Sequence, residues 1–327
     1  MTTPLLAAAP MEGLTTFVFR QVHAAHFGGA DEYWLPFITP TDIPKFTERQ
    51  MRELRPEVNK GFKAVPQLLT KNAKDFIWAA KALSDLGYEE VNLNLGCPSG
   101  TVAAKGKGAG FLLHPDLLDQ FFDEVFSAGI PIPVSVKTRL GWASEDEFDR
   151  LITIYNRYPI KTLIVHPRLK KDLYRGAVRL DKLDRLCPQI KAPVGYNGDI
   201  VTLEDCRRTE ERYPNLALIM VGRALMADPA LFRKIKGGAP ASREEIIDFQ
   251  RELYEHYAEA WGSVKNAVMR MKEYWFYQLN LFEGAEKAGK AIFKAKTLQE
   301  FQAAADNVLE NFPLRENAAN GWFKPLN

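Results

Sequence analysis

Short apolar runs rich in β-branched residues recur through the first two thirds of the chain, and amphipathic segments separate them. This alternation is typical of parallel βαβ units. Eight runs have the length of strands: 5–8, 33–38, 63–68, 91–95, 134–137, 163–166, 194–197 and 217–221. The clearest amphipathic segments are 73–86, 116–126, 145–155 and 203–213. Eight such units within about 230 residues predict a (β/α)8 TIM barrel.

An open, doubly wound sheet is the alternative arrangement of alternating strands and helices. Such a sheet usually carries a GxGxxG turn after its first strand, whereas this chain has Pro10-Met11-Glu12-Gly13 there. The barrel is therefore favoured. Its weakest unit is the long connection between the second and third strands, in which the sequence shows no clear helix.

The last quarter of the chain has a different pattern. Residues 236–240 (KGGAP) read as a linker, and Ser242-Arg243-Glu244-Glu245 is a helix-capping signal. Four helices are predicted beyond it, over 244–261, 264–281, 285–293 and 298–312. We therefore expect a barrel over 1–238 and an all-helical domain over 239–327.

Composition excludes several classes of protein. The 327 residues are 46% hydrophobic and carry a net charge of only +2, so a polyanion would have to bind a local patch. Three scattered cysteines do not form a disulfide framework or a zinc motif, and no metal site is expected. No apolar run is long enough to span a bilayer, and the N-terminus lacks a basic signal region. We expect a cytoplasmic protein, working as a monomer.

Polar residues at the predicted strand ends are candidates for chemistry, because barrel active sites form there. The fourth strand runs through Asn94 to Cys97 and then into a glycine-rich loop reaching Gly110. A thiol at the start of such a loop is placed where a mobile lid would carry it over a substrate. Cys187 and Cys206 fall in or beside predicted helices and are interpreted as structural.

The next strand ends carry cations and a histidine. Lys137 ends the fifth strand, Arg139 follows two residues later, and His166 ends the sixth. A lysine in an otherwise apolar strand must find a charge partner or lose its proton. Two cations at one strand end therefore indicate an anionic ligand.

The last two strands end in a phosphate-binding pattern. Asn197-Gly198-Asp199 follows the seventh strand and Gly222-Arg223 the eighth, where a helix begins. Together with Lys137 and His166 these groups suit an FMN whose ring lies across the barrel mouth. Lys137 would stabilise the negative charge of the reduced ring, and Gln67 would bond the pyrimidine edge.

Taken together, these motifs resemble the tRNA-dihydrouridine synthase family over essentially the whole chain, and most of all its bacterial branch related to the C-type enzyme. The motifs that carry the resemblance are Ala9-Pro10-Met11-Glu12-Gly13, Gln67, Asn94-Leu95-Gly96-Cys97-Pro98, Val136-Lys137-Thr138-Arg139, His166-Pro167-Arg168, Asn197-Gly198-Asp199 and Gly222-Arg223.

The resemblance implies an FMN enzyme that uses NADPH to reduce the C5–C6 bond of a uridine in tRNA. It implies that Cys97 protonates C5 and that Asn94 and Arg139 hold the uracil. The residues implied to bind the cofactor are Pro10, Met11, Gln67, Lys137, His166, Asn197, Gly198, Asp199, Gly222 and Arg223.

A further candidate for tRNA binding lies in the helical tail. Lys287, Lys290 and Lys294 share one face of a predicted helix, which is either a phosphate-binding patch or a solvated surface. The main alternative function is an FMN barrel oxidoreductase with a small-molecule substrate. A barrel that binds RNA without catalysis and a phosphate-sugar isomerase are two others, and both would lack the flavin.

Overall fold

A computed structural model describes residues 3–319. Nine parallel segments form one sheet: β1 Leu5–Ala8, β2 Glu32–Trp34, β3 Ala64–Val65, β4 Gln67–Leu68, β5 Val91–Leu95, β6 Val134–Gly141, β7 Leu163–Leu169, β8 Val194–Tyr196 and β9 Leu218–Val221. Their order is β3-β2-β1-β9-β8-β7-β6-β5-β4.

The two edges of this sheet are the two halves of one interrupted strand. Pro66 alone separates β3 from β4, and proline has no N–H to donate to a strand ladder. Because β3 pairs with β2 and β4 with β5, the sheet curls into a nearly closed barrel. The expected parallel barrel is confirmed, with the third predicted strand divided at its proline.

The barrel helices are α1 Phe17–His26, α2 Glu48–Leu54, α3 Ala73–Asp85, α4 Gly100–Ala103, α5 Pro115–Ser127, α6 Glu147–Tyr155, α7 Leu180–Leu186, α8 Leu203–Arg212, α9 Arg223–Ala227 and α10 Leu231–Ile235. The four predicted amphipathic segments form α3, α5, α6 and α8 within two residues of the predicted bounds, and the six further helices complete the barrel. The expectation that the second connection lacks a helix was wrong. α2 forms there, and Thr47 and Gln50 cap it reciprocally.

Four helices follow the barrel: α11 Arg243–Trp261, α12 Val264–Gln278, α13 Glu286–Lys294 and α14 Leu298–Asn311. α11 starts at the predicted capping box, in which Ser242 and Glu245 bond each other's backbone. These helices pack against the barrel: Phe19 of α1 contacts Phe249 of α11 and Tyr274 of α12 with ring centroids 6.4 and 5.9 Å apart. One continuous apolar cluster therefore spans barrel and tail.

Within residues 3–319 no helix is both long and apolar enough to cross a membrane.

Candidate active site

A row of buried polar side chains, joined by hydrogen bonds, lies at the base of the barrel mouth. The Asn92 amide donates to Ser135 Oγ (3.0 Å), and Gln67 Nε2 donates to Asn92 Oδ1 (2.7 Å). Asn94 Nδ2 in turn donates to Gln67 Oε1 (2.7 Å). Each buried amide is thus satisfied by the next, which fixes the orientation of Asn94.

Asn94, at one end of this row, fixes the backbone at Cys97. Asn94 Oδ1 accepts the backbone N–H groups of Gly96 (3.0 Å) and Cys97 (2.9 Å). Burial raises the pKa of the Cys97 thiol above its ordinary value, and this effect exceeds the opposite influence of the Ser99 backbone, Arg139 and Lys137. The thiol is therefore protonated at neutral pH, as a proton donor must be.

The glycine-rich loop after Cys97 is folded onto the barrel. Its start forms α4, the Ala109 N–H donates to the Cys97 carbonyl (3.1 Å), and residues 108–112 are buried. A Cβ on Gly110 would overlap the Ala103 carbonyl oxygen. The loop expected to be a mobile lid is thus packed against α4 and β5, with Cys97 at its base.

Lys137 lies on β6 directly opposite Asn94 of β5. Its ammonium makes no ion pair with any residue between 3 and 319. Burial, reinforced by the neighbouring Arg139, lowers the pKa of Lys137 to about 7. An anionic ligand bound beside this half-buried amine would stabilise its charged form.

Arg139 is fully buried and binds backbone. Its Nε donates to the Gly96 carbonyl (2.8 Å), and Nη1 donates to the carbonyls of Leu169 (2.9 Å) and Leu173 (2.7 Å). Part of the guanidinium expected to hold the uracil therefore ties the Cys97 loop to the end of β7.

His166, opposite Arg139 in the β6–β7 register, is a neutral imidazole. Burial and the surrounding cations lower its pKa well below the ordinary value. Arg168 Nη1 donates to His166 Nε2 (3.0 Å), which places the imidazole proton on Nδ1 because an arginine can only donate. The Nδ1–H is therefore the group with which His166 can bond a ligand.

Asp199 forms ion pairs with two arginines, Arg168 and Arg223. Arg168 bonds both of its carboxylate oxygens, and Arg223 Nη2 donates to Oδ1 (3.1 Å). Arg168 Nε is buried and has no partner within the described residues. Asp199, expected to bind the cofactor, thus has its carboxylate engaged in orienting cations.

Tyr174 stands at the barrel mouth and was not singled out by the sequence. Its half-exposed ring lies between Arg139 (5.2 Å) and Arg223 (5.0 Å), with His166 6.2 Å away. The preceding Leu173 has a φ of 53°, a strained value for a residue other than glycine. Sequence offers only a weak signal for it, an aromatic residue among Lys170, Lys171 and Arg175.

Glycines line the expected phosphate end. A Cβ on Gly222 would lie 3.2 Å from Met11 Sδ, and one on Gly198 would overlap the Tyr196 hydroxyl. Asn197 Nδ2 donates to the Met220 carbonyl (2.8 Å). The first βα turn, Pro10 and Met11, thus meets the ends of β8 and β9, as the β1–β9 pairing requires.

The tail borders this mouth. Arg270 of α12 donates to the Gly13 carbonyl (3.1 Å) and pairs with Glu273. Lys287, Lys290 and Lys294 all lie on α13, exposed and outside the cluster described above. Their common face is as predicted. Among residues 3–319, no group of three or more His, Cys, Asp or Glu side chains is arranged to hold a metal ion.

Comparison with known proteins adds to this geometry. The sequence profile of the family described as "Dihydrouridine synthase (Dus)" matches residues 6–315. A "tRNA-dihydrouridine(16) synthase" of Pseudomonas putida is 32% identical over 285 residues, covering 82% of this chain and 86% of that protein. A "tRNA-dihydrouridine synthase B" of Pasteurella multocida is 28% identical over 282 residues, covering 83% and 82%.

Solved structures with a similar fold are barrel reductases. Morphinone reductase aligns with a TM-score of 0.52 at 12% identity, over 73% of this chain and 87% of its own. An old yellow enzyme homologue from Zymomonas mobilis aligns with a TM-score of 0.54, also at 12% identity, over 73% and 90%. At this identity the likeness supports the barrel fold alone.

Proposed function

The chain belongs to the dihydrouridine synthase family, and from that membership we propose that it binds FMN and uses NADPH to reduce the C5–C6 bond of a specific uridine in tRNA. As a member of that family it is a flavin-dependent oxidoreductase acting on tRNA. The observation that carries the proposal is the protonated Cys97 thiol, fixed at the barrel mouth beside the strand ends that bear Lys137 and His166.

The donor set fits a flavin mononucleotide. Lys137 has no ion pair within residues 3–319, and Arg168 Nε is buried there without a partner. Gly198 and Gly222 let Tyr196 and Met11 pack closely against the backbone at the ends of β8 and β9, and Arg223 is close by. The lining would be completed by Gln67, Pro10, Met11 and Asn197. The phosphate would lie at the β8 and β9 ends and the ring toward Lys137.

The chemistry that a bound, reduced flavin would supply is a hydride for uridine C6. Cys97 then acts as the acid: its S–H bond breaks, a C–H bond forms at C5, and the thiolate is reprotonated from solvent. Asn94 is the positioning residue for this step because it holds the Cys97 backbone N–H. Arg139 secures the same loop, and its remaining N–H groups, with those of Asn94, are the donors proposed to hold the uracil.

The hydride and the proton are delivered to opposite faces of the uracil ring, so the base must leave its stack. Extrusion is cheapest in a loop of the tRNA, where the base is already loosely held. We assign tRNA contacts to the segment 239–327, with Lys287, Lys290 and Lys294 bonding phosphates and α12 beside the mouth. The enzyme would work as a monomer in the cytoplasm, where tRNA is modified.

The test is a single-turnover reaction. We expect the purified protein to be yellow with one non-covalent FMN. After anaerobic reduction by NADPH it should be reoxidised by unmodified tRNA, with one dihydrouridine formed per flavin. A colourless protein that takes up no FMN would contradict the cofactor assignment. Reoxidation by a small electrophilic alkene but not by tRNA would instead favour a small-molecule reductase. Mapping of dihydrouridine in tRNA from a deletion strain identifies the position reduced.

A further inference from the structure

Three lysines meet on the barrel rim beside Cys97. Lys71 lies in the turn between β4 and α3, and Lys105 and Lys107 lie in the loop that follows Cys97. The Lys71 ammonium stands 3.4 Å from the position that a Cβ on Gly106 would occupy, so it rests on the backbone between the other two lysines. Two loops from neighbouring strands thus bring their cations together; we call Lys71, Lys105 and Lys107 the loop-lysine cluster.

The cluster carries excess positive charge. None of its three ammonium groups forms a salt bridge with another residue in the range 3–319. Asp75 acts on Lys107 against the repulsion from Lys105 and Lys71. Like charges held together in this way destabilise a folded chain unless an anion binds between them.

The cluster is also joined to the catalytic thiol. Lys107 precedes Gly108, where a Cβ would lie 3.0 Å from Cys97 Cβ, and the next residue, Ala109, bonds the Cys97 carbonyl. A ligand anion on the cluster would therefore lie on the loop that packs against Cys97. Displacement of Lys107 would be transmitted through two residues to Cys97.

We infer that the loop-lysine cluster binds the backbone phosphates flanking the uridine that enters the barrel mouth. This inference rests on the proposed function. A base drawn into the mouth leaves its own 5′ and 3′ phosphates at the rim, and the cluster supplies cations without a salt bridge, among the described residues, on the Cys97 side. It is distinct from the α13 lysines, which belong to another element. Because cluster and thiol share one loop, engagement of the phosphates holds Cys97 against the base.

The experiment compares two triple variants that remove the same charge. One is Lys71→Gln/Lys105→Gln/Lys107→Gln. The matched control is Lys60→Gln/Lys81→Gln/Lys191→Gln, whose exposed lysines lie before β3, on α3 and before β8, away from the rim. The probe is an unmodified tRNA transcript, and its Kd for the flavin-loaded protein is measured at several salt concentrations. Thermal unfolding and flavin content check that both variants fold.

We expect the affinity of the cluster variant to fall about tenfold near physiological salt. The slope of log K against log salt should shrink by about 0.7 for each phosphate that the variant no longer binds. The control variant should keep the wild-type affinity and slope. Equal affinities of cluster variant and wild type would overturn the inference, and so would an equally weakened control. Dihydrouridine formation by the wild type is scored separately, so failure of the proposed function is recognised on its own.

Discussion

At the residue scale, the most consequential assignment is Cys97 as the acid. In Cys97→Ala, FMN binding and reduction by NADPH should be unchanged, because neither step uses the thiol. The uridine step should slow by about 10²–10⁴-fold, the usual contribution of a positioned acid. The measurement is the rate at which pre-reduced enzyme is reoxidised by unmodified tRNA without oxygen.

The matched control for this variant is Cys187→Ala, since Cys187 is half-buried like Cys97 but lies after α7. It should turn over at nearly the wild-type rate. If Cys97→Ala is reoxidised as fast as wild type, the thiol is structural and the proton comes from water or from His166.

Lys137 should leave a signature in stability against pH. Its pKa is about 7 in the folded protein and 10.5 as a free side chain. Below pH 7 both states are protonated, and folding bears the full cost of the buried charge. Between pH 7 and 10.5 the unfolded chain binds more protons, so the free energy of unfolding rises with pH. In flavin-free protein, Lys137→Met should therefore stabilise most below pH 7 and progressively less toward pH 10.

Urea unfolding of both proteins at several pH values measures this difference. A stabilisation by Lys137→Met that stays constant across the range would mean that the ammonium is solvated. Addition of FMN should make the wild type more stable than Lys137→Met, because the flavin provides a partner for the Lys137 cation.

That the candidate residues lie close together was predictable from their places at strand ends, because parallel strands in a barrel present their carboxyl ends together. The partners of those residues were not. Arg139 bonds carbonyls as far along the chain as Leu169 and Leu173, and Asp199 orients Arg168 and Arg223. The sequence shows which side chains can donate or accept hydrogen bonds. It does not show which distant backbone oxygens the fold brings beside them.

At the scale of elements, the packing of the Cys97 loop is testable through its glycines. Gly110→Ala forces a Cβ into the Ala103 carbonyl, so the loop must shift away from α4. We expect a loss of about 1–3 kcal/mol in the free energy of unfolding, as for other overpacked sites. Uridine reduction should fall more than flavin reduction, because the shift displaces Cys97.

The control lies in the same loop. A Cβ on Gly100 meets nothing within 4 Å, and this residue opens α4 with an ordinary negative φ. Gly100→Ala should be neutral or slightly stabilising. Equal behaviour of the two variants in unfolding and in single-turnover rates would show that the loop is not held by close packing.

Elements were predicted best where hydrophobic periodicity was strong. β1 and β5 have the predicted bounds, and α14 ends one residue early. α2 was missed because its seven residues include only Met51 and Leu54 as apolar positions. Its stability comes from the Thr47 and Gln50 capping box and from packing, which periodicity does not register.

At the scale of the whole molecule, the helical tail covers an apolar face of the barrel. Thr16 bonds Tyr257 (3.2 Å), and Phe17 stacks on Trp261 at 6.1 Å. A chain ending at residue 238 would expose this apolar face of α1. We expect that truncated barrel to aggregate or to bind a hydrophobic dye, and to recover when residues 239–327 are supplied in trans.

The complementary measurement uses the intact chain. Barrel and tail should unfold in one transition when followed by circular dichroism and by tryptophan fluorescence. A soluble, flavin-binding 1–238 fragment, or two separate transitions, would instead support the independent domains expected from the linker sequence at 236–240.

The contact between α1 and α11 also bears on how the protein is made. Phe19 leaves the ribosome early, whereas Phe249 follows 230 residues later. At ordinary elongation rates that interval lasts about 10 to 50 seconds. For that time the first helix of the nascent chain has an uncovered aromatic face, which is a binding site for chaperones. The rate at which the later part of the message is translated therefore determines when α1 acquires its contact with α11.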